Sequence, residues 1–311
     1  MLEKNSMIAI SKREEIRMDK YWLVTKIIPN TQNKEVIEEF LLSLKLANRS
    51  RGTIIMYRRF LERFFHDMKE PFHKLTSDEI LQWFLKNEAD VKEVTFRMRM
   101  SVLSSFYTFC VQERYLEKSP IKSRWFPRVP KSIPKYLEKE EIAKTRMQGE
   151  FTSLRNQVLV EFMLTSGCRV GEVHLLNRED LDLENRTARV LGKGKKIRTV
   201  HFTEKCAVLL EKYLTLWRPW RSTSVFITST GNRLSIRMIQ DLIRDVGRDA
   251  ELASRLHPHR LRHTFATELL AKGAELSFIG DELGHSDIGT TQIYAKLPKR
   301  EIISLYRKYM G

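Results

Sequence analysis

The chain has 311 residues, 42% of them hydrophobic and 10% aromatic, with only 13 Gly and 9 Pro, a globular composition with room for two domains. Lys and Arg number 55 against 39 Asp and Glu, a formal charge of +16 that favours a polyanionic partner, nucleic acid foremost. No apolar run approaches the ~18 residues of a membrane span, the opening MLEKNSMIAISKREE lacks the apolar stretch of a signal peptide, and Cys110, Cys168 and Cys206 are too scattered for a disulfide framework or a zinc pattern.

These features point to a cytoplasmic protein with reduced thiols. Residues 1–30 mix charges without periodicity and are expected to be an N-terminal extension. From Lys34 to about Tyr115 apolar residues recur at helical steps: Val36, Phe40, Leu44; Ile54, Tyr57, Leu61, Phe64; Val94, Met98, Val102, Phe106, Phe109. Thr76 with Glu79 makes a capping box that opens a further helix, with Ile80, Phe84 and Leu85 on its inner face. The region therefore reads as a four-helix unit.

Next comes KSPIKSRWFPRVPKSIPK, Lys118 to Lys135, whose four prolines break helices. Lys122, Arg124, Arg128, Lys131 and Lys135 stand there without an acidic residue. Such a run repels itself unless anions neutralise it, so it reads as a linker lying along a phosphate backbone rather than one merely solvated.

From Leu137 onward the pattern is mostly helical. Leu154, Val158, Phe162 and Met163 mark a helix ending near Gly167. Thr187–Leu191 and Ile197–His201 are β-branched runs flanking Gly192-Lys193-Gly194-Lys195, which predicts a hairpin. Leu209, Tyr213, Leu216 and Trp217 predict another helix, Val225–Ile227 a short strand, and Ser235 the start of a further helix. Residues 261–311 read as successive short helices, and no internal repeat is evident. The fold class expected is mainly α with a small β-sheet (α+β).

Several polar residues in this half carry the chemistry of a phosphodiester. In TSGCRVGEV, Arg169 opens a helical turn beside Glu172; a guanidinium there can hold a phosphate oxygen bidentately while the carboxylate fixes its direction. A bare surface Arg–Glu pair would contribute less than about 1 kcal/mol, so this motif alone is weak. At the hairpin tip, Lys193, Lys195 and Lys196 are all candidates, since an ammonium protonates a leaving oxygen where an arginine practically cannot.

HPHRLRHTFAT is the sharpest local signal: His259 and Arg262 share one face of a helix that Pro258 helps to start. His259 and His263 have the i, i+4 spacing of metal ligands, but no glutamate follows His259 in the HExxH manner and no third ligand is near, which disfavours a metal site. In LGHSDIGTTQIY, Gly284-His285 reads as a tight turn exposing the imidazole, with Tyr294 on the helix after it. On composition alone Tyr306 and Tyr309 rival Tyr294 as attacking groups, and a partly buried tyrosine is the commoner fate.

Together SGCRVGE, GKGKKIR, HRLRHTFAT and LGHSDIGTTQIY resemble the tyrosine recombinases (phage integrases, Xer-type recombinases, integrases of conjugative elements) in order and separation, over roughly residues 35–300. NRSRGTIIMYRRFLERFF, Asn48 to Phe65, resembles that family's core-binding domain. One departure is Asp281-Glu282 before the Leu-Gly-His turn, where the family is more apolar. The resemblance implies a helical, SAM-like core-binding domain over 31–118, a basic linker over 119–136, a catalytic domain over 137–297 and a tail helix over 298–311 docking on a neighbouring protomer. It implies Arg169, Lys193, His259, Arg262 and His285 as the catalytic set, Tyr294 as nucleophile and Glu172 as an accessory acid. It further implies double-stranded DNA with paired half-sites as the partner, a homotetramer on that DNA, and no metal or other cofactor. A type IB topoisomerase-like relaxase and a catalytically silent DNA-binding protein of the same fold are the competing readings. The helical unit ahead of the catalytic half argues against the first, and the complete reactive set against the second.

Overall fold

Polar side chains start most helices of the N-terminal unit in the computed structural model, which describes residues 20–129, 134–192, 196–216 and 222–284. Asn30, Ser50 and Thr76 accept from the backbone N–H of Asn33, Thr53 and Glu79, opening α1 (Thr31–Leu46), α2 (Arg51–Asp67) and α3 (Ser77–Asn87). The Thr76–Glu79 box is complete, with Glu79 Oε2 taking the Thr76 N–H at 2.8 Å. The fourth helix, α4 (Glu93–Gln112), has no side-chain cap. The core between them is aromatic: Phe40, Phe64, Phe65, Phe72, Phe84 and Phe106 are all buried, with edge-on contacts such as Phe64–Trp83 at 4.8 Å and Phe65–Phe106 at 5.3 Å.

Two expected faces are corrected here. Leu85 is exposed, and the inner face of α3 is Ile80, Trp83 and Phe84, with the Trp83 indole donating to Asp67 Oδ2 at 3.0 Å. Val94 and Met98 are exposed too; Val102 and Phe106 are buried as expected, and Met100, Leu103, Tyr107 and Cys110 complete the buried face of α4. On α4 both sets keep a spacing of three and four, and the one that meets the phenylalanine cluster is buried. On α3 the spacing favours Trp83, three residues after Ile80, over Leu85, five after it.

Residues 20–30 belong to this unit. Thr25 donates from its backbone (2.6 Å) and its hydroxyl (3.0 Å) to the buried Glu62 carboxylate, Arg58 donates to the carbonyls of Tyr21 and Leu23, and Lys45 sits 3.5 Å over the Trp22 ring. Ile121, Trp125 and Phe126 of the proline-rich segment also pack on the same core, while Lys122, Arg124 and Arg128 face solvent. The two compact units are Met1–Lys131 and Ser132–Gly311.

The second unit comprises α5 (Lys139–Glu150), α6 (Leu154–Ser166), α7 (Val170–Leu175), a sheet, α8 (Glu204–Leu216), α9 (Ile236–Asp249), α10 (Pro258–Ala271) and α11 (Leu276–Leu283). The sheet is antiparallel in the order β1 (Leu181–Asp182), β2 (Thr187–Leu191), β3 (Ile197–His201), with Thr187 opposite His201 and Leu191 opposite Ile197. Ala188, Val190 and Val200 turn inward on the alternation that the β-branched runs predict. The fold is thus mostly helical with one small sheet. Helix α6 runs through the middle, buried from Val158 to Leu164, against Leu210, Tyr213 and Phe226. A separate small cluster of Phe265, Ala266, Ile279 and Leu283 seats α11 on α10.

Val225–Ile227 is not a strand. Its backbone bonds go to two different partners, Val225 N to Leu176 O and Leu234 N to Phe226 O, leaving isolated bridges at Ser224 and Ile227. Cys110 is buried in the first core and Cys168 and Cys206 in the second, and burial pushes each thiol up to about 12. Among the described residues no helix is long and apolar enough to cross a membrane.

Helix α6 ends where the sequence predicts, at Gly167, whose φ of 61° lies in the left-handed region. A Cβ there would sit 2.3 Å from Phe265 Cδ1. Gly167→Ala should therefore combine left-handed strain with overpacking and lose at least about 2 kcal/mol, read as a lowered urea midpoint. An unchanged midpoint would contradict this account of the turn.

Candidate active site

The turn at Gly167 delivers the chain to Arg169, the residue that precedes α7. Glu172, three residues on, accepts the Arg169 backbone N–H at 2.8 Å through Oε2 and its guanidinium Nη1 at 3.0 Å through Oε1. A carboxylate in the first turn of a helix is favoured by the free N–H groups there. Arg198 on β3 grips the same carboxylate with both arms, Nη1 to Oε1 at 2.6 Å and Nη2 to Oε2 at 3.0 Å. Glu172 is only 3% exposed. Burial alone would raise its carboxyl, but the hydrogen bonds and charge of Arg198, with those of Arg169, hold it below the usual carboxylate range.

Helix α10 starts as HPHR requires. His257 is the N-cap, its Nδ1 accepting the Arg260 N–H at 3.1 Å, and Pro258 follows in the first turn. Accepting through Nδ1 requires an imidazole without a proton there, and burial, then the nearby His259, Arg260 and Arg255, lower the His257 pKa in that direction. The two arginines of the motif divide the work. Arg260 is buried and structural, paired with Glu141 at 2.7 Å and bonded to the carbonyls of Tyr136 and Ser254.

Arg262 points the other way, into the site. Its Nη1 donates to Gly167 O at 2.7 Å and its Nη2 to Leu283 O at 2.6 Å. Arg169 Nη2 donates to the next carbonyl, Gly284 O, at 3.3 Å, and Arg198 Nε to the preceding one, Glu282 O, at 3.1 Å. Three guanidinium groups thus take three successive carbonyls where α11 ends. Those carbonyls lack helical partners and carry the negative end of the helix dipole, so cations belong there.

His259 lies one turn before, exposed at its edge. The atoms packed around the ring, then the charges of Arg262 and Arg169, hold its pKa below the ordinary 6.5. Burial, then His259, Arg262 and His257, take His263 down to about 4. Both shifts favour the uncharged ring at physiological pH.

Of the expected residues, Arg169 and Arg262 meet at the end of α11, Glu172 holds Arg169 there, and His259, one turn before Arg262 on α10, feels the charge of both guanidinium groups. Lys193, His285 and Tyr294 lie outside the described residues. Their sequence neighbours are informative: a Cβ on Gly192 would stand 3.4 Å from Glu172 Oε1, and one on Gly284 2.8 Å from Arg198 Cδ. Arg198 is the site residue that motif reading leaves unassigned. The available signal is period two on β3, which turns Arg198 to the same side as the buried Val200.

Comparison with known proteins follows the same division. The phage integrase family matches residues 135–301, and the N-terminal SAM-like domain of phage integrases matches residues 37–114. Tyrosine recombinase XerC of Thermodesulfovibrio yellowstonii is 30% identical over 89% of this chain and 97% of its own length. Tyrosine recombinase XerD of Staphylococcus epidermidis is 31% identical over 88% and 98%. In fold, the chain resembles the XerH site-specific recombinase solved in a post-cleavage complex with a palindromic difH substrate, with a TM-score of 0.72 and 20% identity over 94% of this chain and 93% of that one. With both of its units matched and its curated relatives spanned almost end to end, the chain belongs to the phage integrase family and is a site-specific tyrosine recombinase.

Proposed function

We propose that this recombinase cleaves and rejoins double-stranded DNA through a 3′-phosphotyrosyl intermediate formed on Tyr294. The observation that carries the reading is the convergence of Arg169 and Arg262 on neighbouring carbonyls at the end of α11, beside a neutral His259. The charge of +16 supplies the attraction to a polyanion.

The steps balance as follows. The Tyr294 oxygen attacks the scissile phosphorus and its proton passes to His259, a role suited to an imidazole held neutral. The bond from phosphorus to the 5′ oxygen breaks, and Lys193 gives that oxygen its proton. Arg169, Arg262 and His285 bind the non-bridging oxygens, where negative charge grows in the transition state. Attack of a new 5′-hydroxyl on the phosphotyrosyl bond reverses the sequence and releases the tyrosine. The covalent link keeps the energy of the original phosphodiester, so no ATP is consumed, and the cationic side chains carry the charge stabilisation that a metal ion supplies elsewhere.

The rest of the chain serves this step. The helical unit over 31–118 holds each half-site, and the basic residues of 119–136 run along the backbone between it and the catalytic unit over 137–297. Four protomers bind paired half-sites, and the tail over 298–311, with Ile302, Ile303, Leu305 and Tyr306, docks on a neighbour. Substrate and buried, reduced thiols together suit the cytoplasm.

The deciding experiment is covalent trapping. Incubated with fragmented genomic DNA, the wild type should yield a denaturant-resistant adduct whose sequenced DNA defines the site, and Tyr294→Phe should yield none. An equal adduct from Tyr294→Phe would remove that residue as nucleophile. Two duplexes bearing the trapped sequence should exchange strands; relaxation of supercoils without exchange would instead identify a topoisomerase.

Arg169→Ala and Arg262→Ala should still bind that duplex but cleave a nicked version about 100- to 1000-fold more slowly. Wild-type rates would exclude them from the reaction. The pH profile tests His259. A base must be unprotonated, and the folded pKa lies below 6.5, so cleavage should persist as pH falls through 6.5 and fail only below it. An acid limb centred above 6.5 would contradict the assignment.

A further inference from the structure

Arg198, on β3, touches both α7 and the end of α11 but has no place in the reaction just described. Its Nη groups hold both oxygens of Glu172 on α7, and its Nε holds Glu282 O at the end of α11. Its side-chain carbons and Nε pack against Gly284, where even a methyl group would come within 2.8 Å of Cδ. Its Nη1 would be 3.7 Å from a Cβ on Gly192. It therefore stands between the residue preceding Lys193 and the residue preceding His285. Its side chain is only 15% exposed, and its Nε and both Nη groups have protein partners.

A second contact ties the same two elements. His201 Nδ1, on β3, lies 2.8 Å from Glu282 Oε1. Glu282 is buried, and its other oxygen has no hydrogen-bond partner among the described residues. A buried carboxylate with one partner among the described residues is costly, so the contact with His201 matters to it. Strand β3 is thus fastened to α11 twice.

We propose that Arg198 is a positioning residue for the cleavage step, resting on the reading that Arg169 and Arg262 bind the scissile phosphate. It acts through Glu172. Held at both oxygens, that carboxylate cannot turn away from Arg169, and the Glu282 carbonyl held by Arg198 fixes the end of α11 on which Arg169 and Arg262 both rest. Arg198 makes no contact with the phosphate. A lysine cannot replace it, because one ammonium cannot span two carboxylate oxygens and a carbonyl at once.

The test uses the full-length protein and a nicked duplex carrying the sequence that the wild type traps. Arg198→Lys should bind the duplex as the wild type does, melt at a similar temperature and form the covalent adduct about 100-fold more slowly in a single turnover, the scale of a small displacement of catalytic groups. Arg198→Met should behave alike; if it fails to fold, the lysine variant decides. The double variant Arg198→Lys/Glu172→Gln should be no slower, within about twofold, than the slower single variant, because both changes release the same guanidinium. Wild-type cleavage by folded Arg198→Lys would overturn the proposal, as would a double variant that loses the product of the two single effects. If the wild type itself formed no adduct, the fault would lie with the underlying reading.

Discussion

The end of α11 organises the catalytic unit. Arginines brought close together repel one another, and they stay together only where negative charge holds them. Here the negative charge comes from two sources: the Glu172 carboxylate, and three carbonyls at positions 282–284 that the helix leaves without partners. Each guanidinium satisfies one carbonyl, and each carbonyl fixes one guanidinium. The donors have lost much of their water and most of their freedom before any substrate arrives, which is the condition under which fixed dipoles stabilise a transition state best.

This arrangement depends on packing some distance from the charges. Phe265 fills the space beside Gly167, so α6 can end there and expose the carbonyl that Arg262 takes. Phe265 also joins Ala266, Ile279 and Leu283 in the cluster that seats α11 on α10. One aromatic ring therefore sets both ends of the Arg262 span. Arg260, two residues earlier, anchors the start of the same helix to Glu141. Helix α10 is thus fixed at its first turn by an ion pair and along its length by a small apolar core, and Arg262 projects from the rigid part.

Features set by neighbouring residues were legible in the sequence. The Thr76–Glu79 box, the Gly167 stop, the Ser235 cap and both strands of the hairpin depend on side chains a few positions apart, and the structure has them at those positions. The burial of Trp83 in place of Leu85 follows from the spacing, since Trp83 stands three residues after Ile80 and Leu85 five. What was not legible is the face of α4, where Val94–Met98 and Met100–Leu103 both keep helical spacing and only the phenylalanine cluster decides between them. The roles of Arg198 and Glu282 were hidden for a different reason. They meet across 84 positions, and the strand alternation that turns Arg198 inward does not say what it will find there. The motifs themselves marked Arg169, Glu172, His259 and Arg262 because each motif is a short segment with a fixed local geometry, and the fold's contribution is to bring those segments to one helix end.

The buried cysteines have a practical consequence. Each compact unit hides at least one thiol, Cys110 in the first and Cys168 with Cys206 in the second, and none is ionised near neutral pH. An alkylating reagent reacts with thiolate, so in the native protein all three are protected twice over, by lack of access and by lack of charge. Labelling at Cys110 then clocks the opening of the aromatic core, while labelling at Cys168 and Cys206 clocks that of the catalytic core. The wild-type chain carries its own probes for whether its two halves unfold together or one at a time.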